Sequence, residues 1–127
     1  MVPLAVGTQT TGSTIRPAAF NGCFGYRPTW GDFRMTGVME AAGSFDTLGL
    51  IARSIEDIAL HRHVLLGGTS ELQAVSSCQP PRVGVCRTQF WDKTDHATKS
   101  AIESCAQAMA KSGAMVTDLK LSADFDS

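Results

Sequence analysis

Apolar and polar residues recur with two different periods in the last third of the chain. Four apolar residues follow the i, i+3, i+4, i+7 spacing of an amphipathic helix: Ile102, Cys105, Ala106 and Met109. This spacing predicts a helix over about 94–112, which Gly113 would end. The flanking runs 82–86 and 116–121 have the apolar content or alternation of short strands. Strand, helix and strand predict a βαβ unit over 82–121, with parallel strands, a right-handed crossover and an α/β class.

A second helix is predicted over about 54–66. Ser54 and Asp57 form an S-x-x-D start signal, and the glycine pair 67–68 supplies an end signal. The apolar run 50–52 before this helix is expected to be a buried strand. After the helix, a polar connector is expected over 68–81.

The first third of the chain is rich in glycine rather than periodic. Residues 7–49 hold eight of the twelve glycines, and helical spacing is absent there except for a short turn predicted at 17–20. Glycine makes tight turns and allows close approach of the backbone to other groups. Because functional residues are often carried by loops on a rigid scaffold, we expect the chemistry of this chain in this segment.

Composition and charge narrow the classes of function. The 127 residues include 11 Lys and Arg against 12 Asp and Glu, a formal net charge of −1, with no basic cluster. This balance argues against a partner that is nucleic acid or an anionic membrane. No apolar stretch approaches the ~20 residues of a membrane span, so we expect no membrane span. The N-terminus is also a poor match to a signal peptide.

The cysteines favour reduced thiols. Cys23, Cys78, Cys86 and Cys105 include no C-x-x-C pair, and no histidine lies at zinc-finger spacing. We therefore expect no metal site and a cytoplasmic location. Cys86 in a strand-like run and Cys105 on the apolar side of a helix are expected to be buried.

A hydroxyl- and glycine-rich turn follows the apolar run 4–6. A strand that enters such a turn before a short helix leaves main-chain N–H groups unpaired, which suits a developing anion. Ser13 at this turn fits a serine nucleophile with an oxyanion hole. A phosphate cradle has the right glycine separation in Gly7 and Gly12, but Ser13 replaces its lysine. A purely structural turn stays an open alternative, whereas the G-x-S-x-G elbow of α/β-hydrolases is absent.

Three consecutive motifs carry a resemblance to a known family. Residues 7–20, G-T-Q-T-T-G-S-T-I-R-P-A-A-F, resemble the core motif of the amidase signature family, close to G-T-x-T-G-G-S-x-R-x-P-A-A-F. Residues 22–31, G-C-F-G-Y-R-P-T-W-G, are similar to that family's next motif. Residues 44–57 are similar to its S-x-D-x-x-G-x-x-A-R-[ST]-V-x-D segment. The resemblance covers almost the whole chain.

The resemblance implies a fold and an activity. The implied fold is a partial α/β/α sandwich about a mixed β-sheet, with residues 1–127 a fragment of one domain. Within it, 1–53 would carry the nucleophile and glycine-rich loops, 54–67 a helix and 82–121 the βαβ unit. The implied activity of the parent enzyme is hydrolysis of a small-molecule amide through an acyl-enzyme, without metal or organic cofactor.

The implied site is a Ser–cis-Ser–Lys triad. Ser13 matches the family's nucleophile, and the main-chain N–H groups of Thr10, Thr11, Gly12 and Ser13 match its oxyanion hole. The cis-serine and the lysine belong to segments upstream of the first residue of this chain. Because a serine hydroxyl needs a base, we expect Ser13 to be unactivated in the isolated chain.

The family also leaves alternatives open. The chain could belong to the amidase subunit of a glutamine-dependent tRNA amidotransferase, which needs partner subunits, or to a homodimeric amidase. It could also be a non-catalytic remnant that serves as an interaction module. Thr11 stands where the family has glycine, which could narrow the oxyanion loop.

Other candidate groups favour structural roles. Asp46 is interpreted as a residue that ties loops near the site. His61 and His63 lie two positions apart on a predicted helix, about 200° around its axis, so a shared metal is disfavoured. A triad of Ser13 with a histidine and Asp46 has no support in the sequence. Packing in the core is the default expectation for Trp30, Phe33 and Phe45.

Overall fold

The computed structural model describes residues 2–68 and 79–122. These ranges belong to two compact units that divide between residues 74 and 75. Each unit is described by itself.

A three-stranded antiparallel sheet forms the base of the first unit. The strands are β1 (Leu4–Gln9), β2 (Phe24–Tyr26) and β3 (Thr47–Ala52), in the order β1-β3-β2. The predicted buried strand is confirmed, and it begins earlier than expected. Strand β2 was not predicted, because three residues are too few to show an alternating pattern.

Two helices accompany this sheet, α1 (Ile15–Phe20) and α2 (Ile55–Leu65). The start signal of α2 is confirmed, since Ser54 Oγ accepts a hydrogen bond from the Asp57 N–H at 3.1 Å. Gly67 follows the helix with a φ of +80°, a left-handed conformation that glycine adopts without steric cost.

A small apolar core lies between β3 and α2. Its buried members are Phe33, Leu50, Ala52 and Ile58, with Leu4, Tyr26 and Leu48 packed against them. The expectation of core packing is thus confirmed for Phe33. It is wrong for Trp30 and Phe45, which are exposed; the Trp30 indole instead donates a hydrogen bond to Gly43 O at 3.0 Å.

The second unit is the predicted βαβ unit. Strands β4 (Arg82–Cys86) and β5 (Met115–Leu119) are parallel neighbours, and helix α3 (His96–Lys111) connects them. Asp95 caps α3 by accepting a hydrogen bond from the Thr98 N–H at 2.9 Å. Both units are consistent with a partial α/β fold, antiparallel in the first sheet and parallel in the second.

The expected burial of Cys105 is wrong. Cys105 is exposed, Cys86 is partly buried, and Ala106 is the buried residue of α3. The periodicity located the apolar side of the helix correctly, but the two-stranded sheet of this unit covers only a narrow part of it. Cys23, Cys86 and Cys105 are free thiols, whereas Cys78 and most of the predicted connector lie outside the described residues.

Across residues 2–68 and 79–122, no helix is long and apolar enough to cross a bilayer.

Candidate active site

The loop of residues 10–14, here called the nucleophile loop, joins β1 to α1. The predicted order of strand, turn and short helix is therefore confirmed. Ser13 lies in this loop with an exposed side chain, and Thr14 beside it is buried.

Gln9, the last residue of β1, braces the nucleophile loop from beneath. Its side chain is buried, with 3% of the residue exposed. Gln9 Oε1 accepts hydrogen bonds from the Thr14 N–H at 2.9 Å and the Ile15 N–H at 3.0 Å. Gln9 Nε2 donates to Thr11 O at 2.9 Å. Gln9 was not among the predicted site residues, because no local spacing shows that a strand-end glutamine is buried.

Asp46 fastens the other side of the loop. Its buried carboxylate accepts a hydrogen bond from Thr10 Oγ1 at 2.5 Å, across 36 positions of sequence. The same side chain accepts hydrogen bonds from the N–H groups of Ala41 at 2.6 Å and Ala42 at 2.8 Å. The expectation that Asp46 ties loops together is confirmed.

These contacts favour the charged form of Asp46. The Thr10 hydroxyl, followed by the Ala42 N–H, holds the pKa of Asp46 below its ordinary value. Burial acts in the opposite direction and is outweighed, with further help from the Ala41 N–H.

Thr14 packs the nucleophile loop against the sheet. It is 1% exposed, and its side chain lies over the register pair Gly7 and Gly49 of β1 and β3. A Cβ atom on Gly49 would be 2.5 Å from Thr14 Oγ1, so glycine is needed there for the loop to approach the strand. Among the described hydrogen bonds, Thr14 Oγ1 has no partner.

Three of the predicted oxyanion donors keep their N–H groups unused. In the described part of the chain, no hydrogen bond is donated by the main-chain N–H of Thr11, Gly12 or Ser13. The carbonyl of Gly12, by contrast, accepts a hydrogen bond from the Arg16 N–H at 2.9 Å, as in the first turn of a helix. The loop therefore offers N–H donors beside an exposed serine hydroxyl, which suits stabilisation of an oxyanion.

The most spacious concavity of the first unit is elsewhere. A cavity of about 570 Å³ is lined by Val2, Pro3, Pro17, Asn21, Cys23, Ile51 and Arg53. Because Ser13 is not part of its lining, this cavity is separate from the candidate site.

The histidines of α2 do not form a metal site. Over the described ranges, no group of three or more His, Cys, Asp or Glu side chains is arranged to hold a metal ion. His61 and His63 are both partly buried on α2.

Comparison with known proteins decides the family. A family model described as Amidase matches residues 1–124. The chain belongs to the amidase family. The motifs of residues 7–57 thus occur in a chain whose relatedness extends over nearly its full length.

Two curated relatives and one solved structure illustrate the range of the amidase family. The mandelamide hydrolase of Pseudomonas putida is 33% identical over 127 residues, 99% of this chain and 24% of that protein. A glutamyl-tRNA(Gln) amidotransferase subunit from Fusobacterium nucleatum is 29% identical over 133 aligned residues, 94% of this chain and 27% of that protein. The 6-aminohexanoate cyclic dimer hydrolase complexed with substrate matches with a TM-score of 0.75 and 26% identity, over 92% of this chain and 28% of that one.

The chain therefore spans about a quarter of the length of the amidases that it matches.

Proposed function

We propose that this chain is the nucleophile-bearing part of an amidase domain and that Ser13 is the acyl-enzyme nucleophile. One observation carries the proposal: exposed Ser13 ends a braced loop in which the N–H groups of residues 11–13 donate no hydrogen bond within the described chain. The amidase motif over residues 7–20 supports the same assignment. Residues 1–127 would then belong to one domain, with 1–53, 54–67 and 82–121 as its successive parts.

The proposed reaction is hydrolysis of a carboxylic amide. Ser13 Oγ adds to the amide carbonyl as its proton passes to a base, and the carbonyl oxygen becomes an oxyanion near the N–H groups of Thr10, Thr11, Gly12 and Ser13. Collapse of this intermediate breaks the C–N bond, releases ammonia or an amine and leaves an acyl ester on Ser13, which water then hydrolyses. N–H groups held in place stabilise the oxyanion more than the ground-state carbonyl, which lowers the barrier.

The activating groups of this mechanism belong to segments that precede Ser13 by more residues than this chain contains. The lysines of the chain, Lys93, Lys99, Lys111 and Lys120, all follow Ser13 by eighty residues or more, and none matches the amidase motif. The proposal needs no metal or organic cofactor, because a serine, its base and N–H donors suffice for acyl transfer. Its substrate class is small-molecule amides, and we place the protein in the cytoplasm.

A second candidate function is glutamine-dependent amide transfer. The match to the F. nucleatum glutamyl-tRNA(Gln) amidotransferase favours it, since 94% of this chain aligns with that protein. In that case the same Ser13 chemistry would release ammonia from glutamine, and partner subunits would use the ammonia.

A segment exchange tests the proposal. The mandelamide hydrolase of P. putida is produced with this chain in place of its matching quarter, a protein here called the chimaera. We expect the chimaera to hydrolyse mandelamide and Ser13→Ala to reduce kcat at least about 10³-fold, as loss of a nucleophile does. Ser44→Ala is the matched control, because Ser44 is also an exposed loop serine.

Two outcomes would contradict the proposal. A Ser13→Ala chimaera with full activity would show that another group is the nucleophile. A chimaera that melts cooperatively but has no activity would favour the alternative of a non-catalytic remnant. Glutaminase activity alongside mandelamide hydrolysis would support the second candidate function.

A further inference from the structure

We propose that Gln9 is a positioning residue that aims the main-chain N–H of Gly12 at the oxyanion. The inference rests on the proposed function, because it assigns a role within the same site. Gln9 is buried and touches the nucleophile loop at both ends, through Thr11 O on one side and the Thr14 and Ile15 N–H groups on the other.

The geometry of the peptide bond converts one of these contacts into an orientation. The carbonyl of Thr11 and the N–H of Gly12 belong to the same planar trans peptide unit and point in opposite directions. Gln9 Nε2 holds Thr11 O at 2.9 Å, on the side of the buried carboxamide. The Gly12 N–H is therefore directed away from Gln9.

The next peptide unit is fixed in a similar way. Gly12 O accepts the hydrogen bond of the Arg16 N–H at 2.9 Å, so the Ser13 N–H points away from the body of α1. Gln9 Oε1 meanwhile occupies the two following donors, Thr14 N–H and Ile15 N–H. The result is a division of labour: two N–H groups are used inside the fold, and those of Gly12 and Ser13 stay available.

A carboxamide suits this position because it both donates and accepts. Its oxygen takes the two N–H groups and its NH₂ holds the carbonyl. Gln9→Glu keeps nearly the same shape, but a carboxylate only accepts and repels Thr11 O. When the introduced carboxyl is protonated, its O–H can donate to Thr11 O again. The charged side chains joined to the same loop are Asp46, through Thr10, and Arg16, through Gly12 O.

The experiment uses the chimaera with Gln9→Glu, and Gln107→Glu on the exposed side of α3 as the matched control. We expect Gln9→Glu to lower kcat about 10- to 100-fold with KM changed less than about 3-fold, since an oxyanion donor acts mainly in the transition state. Affinity for a boronic acid analogue of mandelamide should fall by a similar factor. Relative to the parent chimaera, the activity of Gln9→Glu should recover as the pH is lowered. Gln107→Glu should change none of these quantities.

Unchanged kcat in Gln9→Glu, with Ser13→Ala inactive, would overturn the positioning role and leave the proposed function intact. Activity in Ser13→Ala would overturn both. An equal loss at every pH would also contradict the positioning role, because it would indicate a structural effect alone. If Gln9→Glu unfolds the chimaera, the same variants are made with this chain in the 6-aminohexanoate cyclic dimer hydrolase. Unfolding in both hosts would show that Gln9 acts on stability and would overturn the proposal.

Discussion

Gly49 lies so close to Thr14 that no side chain fits between them. A Cβ atom built on Gly49 would be 2.5 Å from Oγ1, 2.6 Å from Cγ2 and 2.8 Å from Cβ of Thr14. Thr14 belongs to the nucleophile loop and Gly49 to the central strand of the sheet. The height of the loop above the sheet is therefore set by this one contact.

Gly49→Ala should destabilise the chimaera. The added methyl group overpacks a fully buried contact, which costs about 1–3 kcal/mol in the free energy of unfolding. Gly7→Ala is the matched control, since Gly7 is the register partner of Gly49 but its Cβ position is 3.7 Å from Thr14 Oγ1, an ordinary contact. Urea unfolding measures both variants, and equal stability for the two would contradict the close contact.

Asp46 should make stability depend on pH at the acidic end. Its pKa is lowered in the folded state, chiefly by the Thr10 hydroxyl, so the carboxylate contributes stability above its unfolded pKa of about 4. This contribution is lost as the pH falls from there through the lower folded pKa. Asp46→Asn should therefore be less stable at pH 7 and should flatten this part of the profile.

The measurement is the melting temperature of the chimaera between pH 7 and pH 3. Asp92→Asn is the control, because Asp92 is an exposed carboxylate of the second unit. A profile for Asp46→Asn that runs parallel to that of the parent chimaera would contradict the assigned contacts.

The cap of α2 should be replaceable but not dispensable. Ser54→Ala removes the acceptor of the Asp57 N–H and should cost about 1 kcal/mol in unfolding free energy. Ser54→Asp or Ser54→Asn should restore most of that loss, since both are good N-cap residues. Chemical denaturation of the chimaera distinguishes the three variants. Equal stability of alanine and aspartate at position 54 would show that the cap contributes nothing.

The isolated 127-residue chain should aggregate and leave Ser13 unlabelled by a fluorophosphonate. Eighteen large apolar residues of the described ranges are exposed, among them Phe20, Met39 and Val64, and such surface promotes association. The Ser13 hydroxyl lacks the base that the proposed mechanism requires. Size-exclusion chromatography and mass spectrometry of the probe-treated chain check these two outcomes. A monomer with a sharp cooperative melt, or strong labelling of Ser13, would contradict them.

The sequence by itself determined the local structure and the family. Ser54 with Asp57, the stripe from Ile102 to Met109 and the glycine after α3 act over distances of three to seven residues, so spacing alone revealed them. The motif around Ser13 is likewise continuous in sequence, and it was enough to indicate an amidase.

Only the tertiary structure decided which residues hold the site together. Asp46 reaches Thr10 across 36 positions, and Gly49 meets Thr14 only because β3 pairs with β1 in one particular register. Gln9 became a brace for the loop through burial at the end of β1, which no periodicity expresses. Exposed Cys105 shows the converse, because spacing assigns a helix its apolar side but not the extent of the surface that covers it. These contacts depend on strand register and on packing between distant segments, and neither is encoded in local spacing.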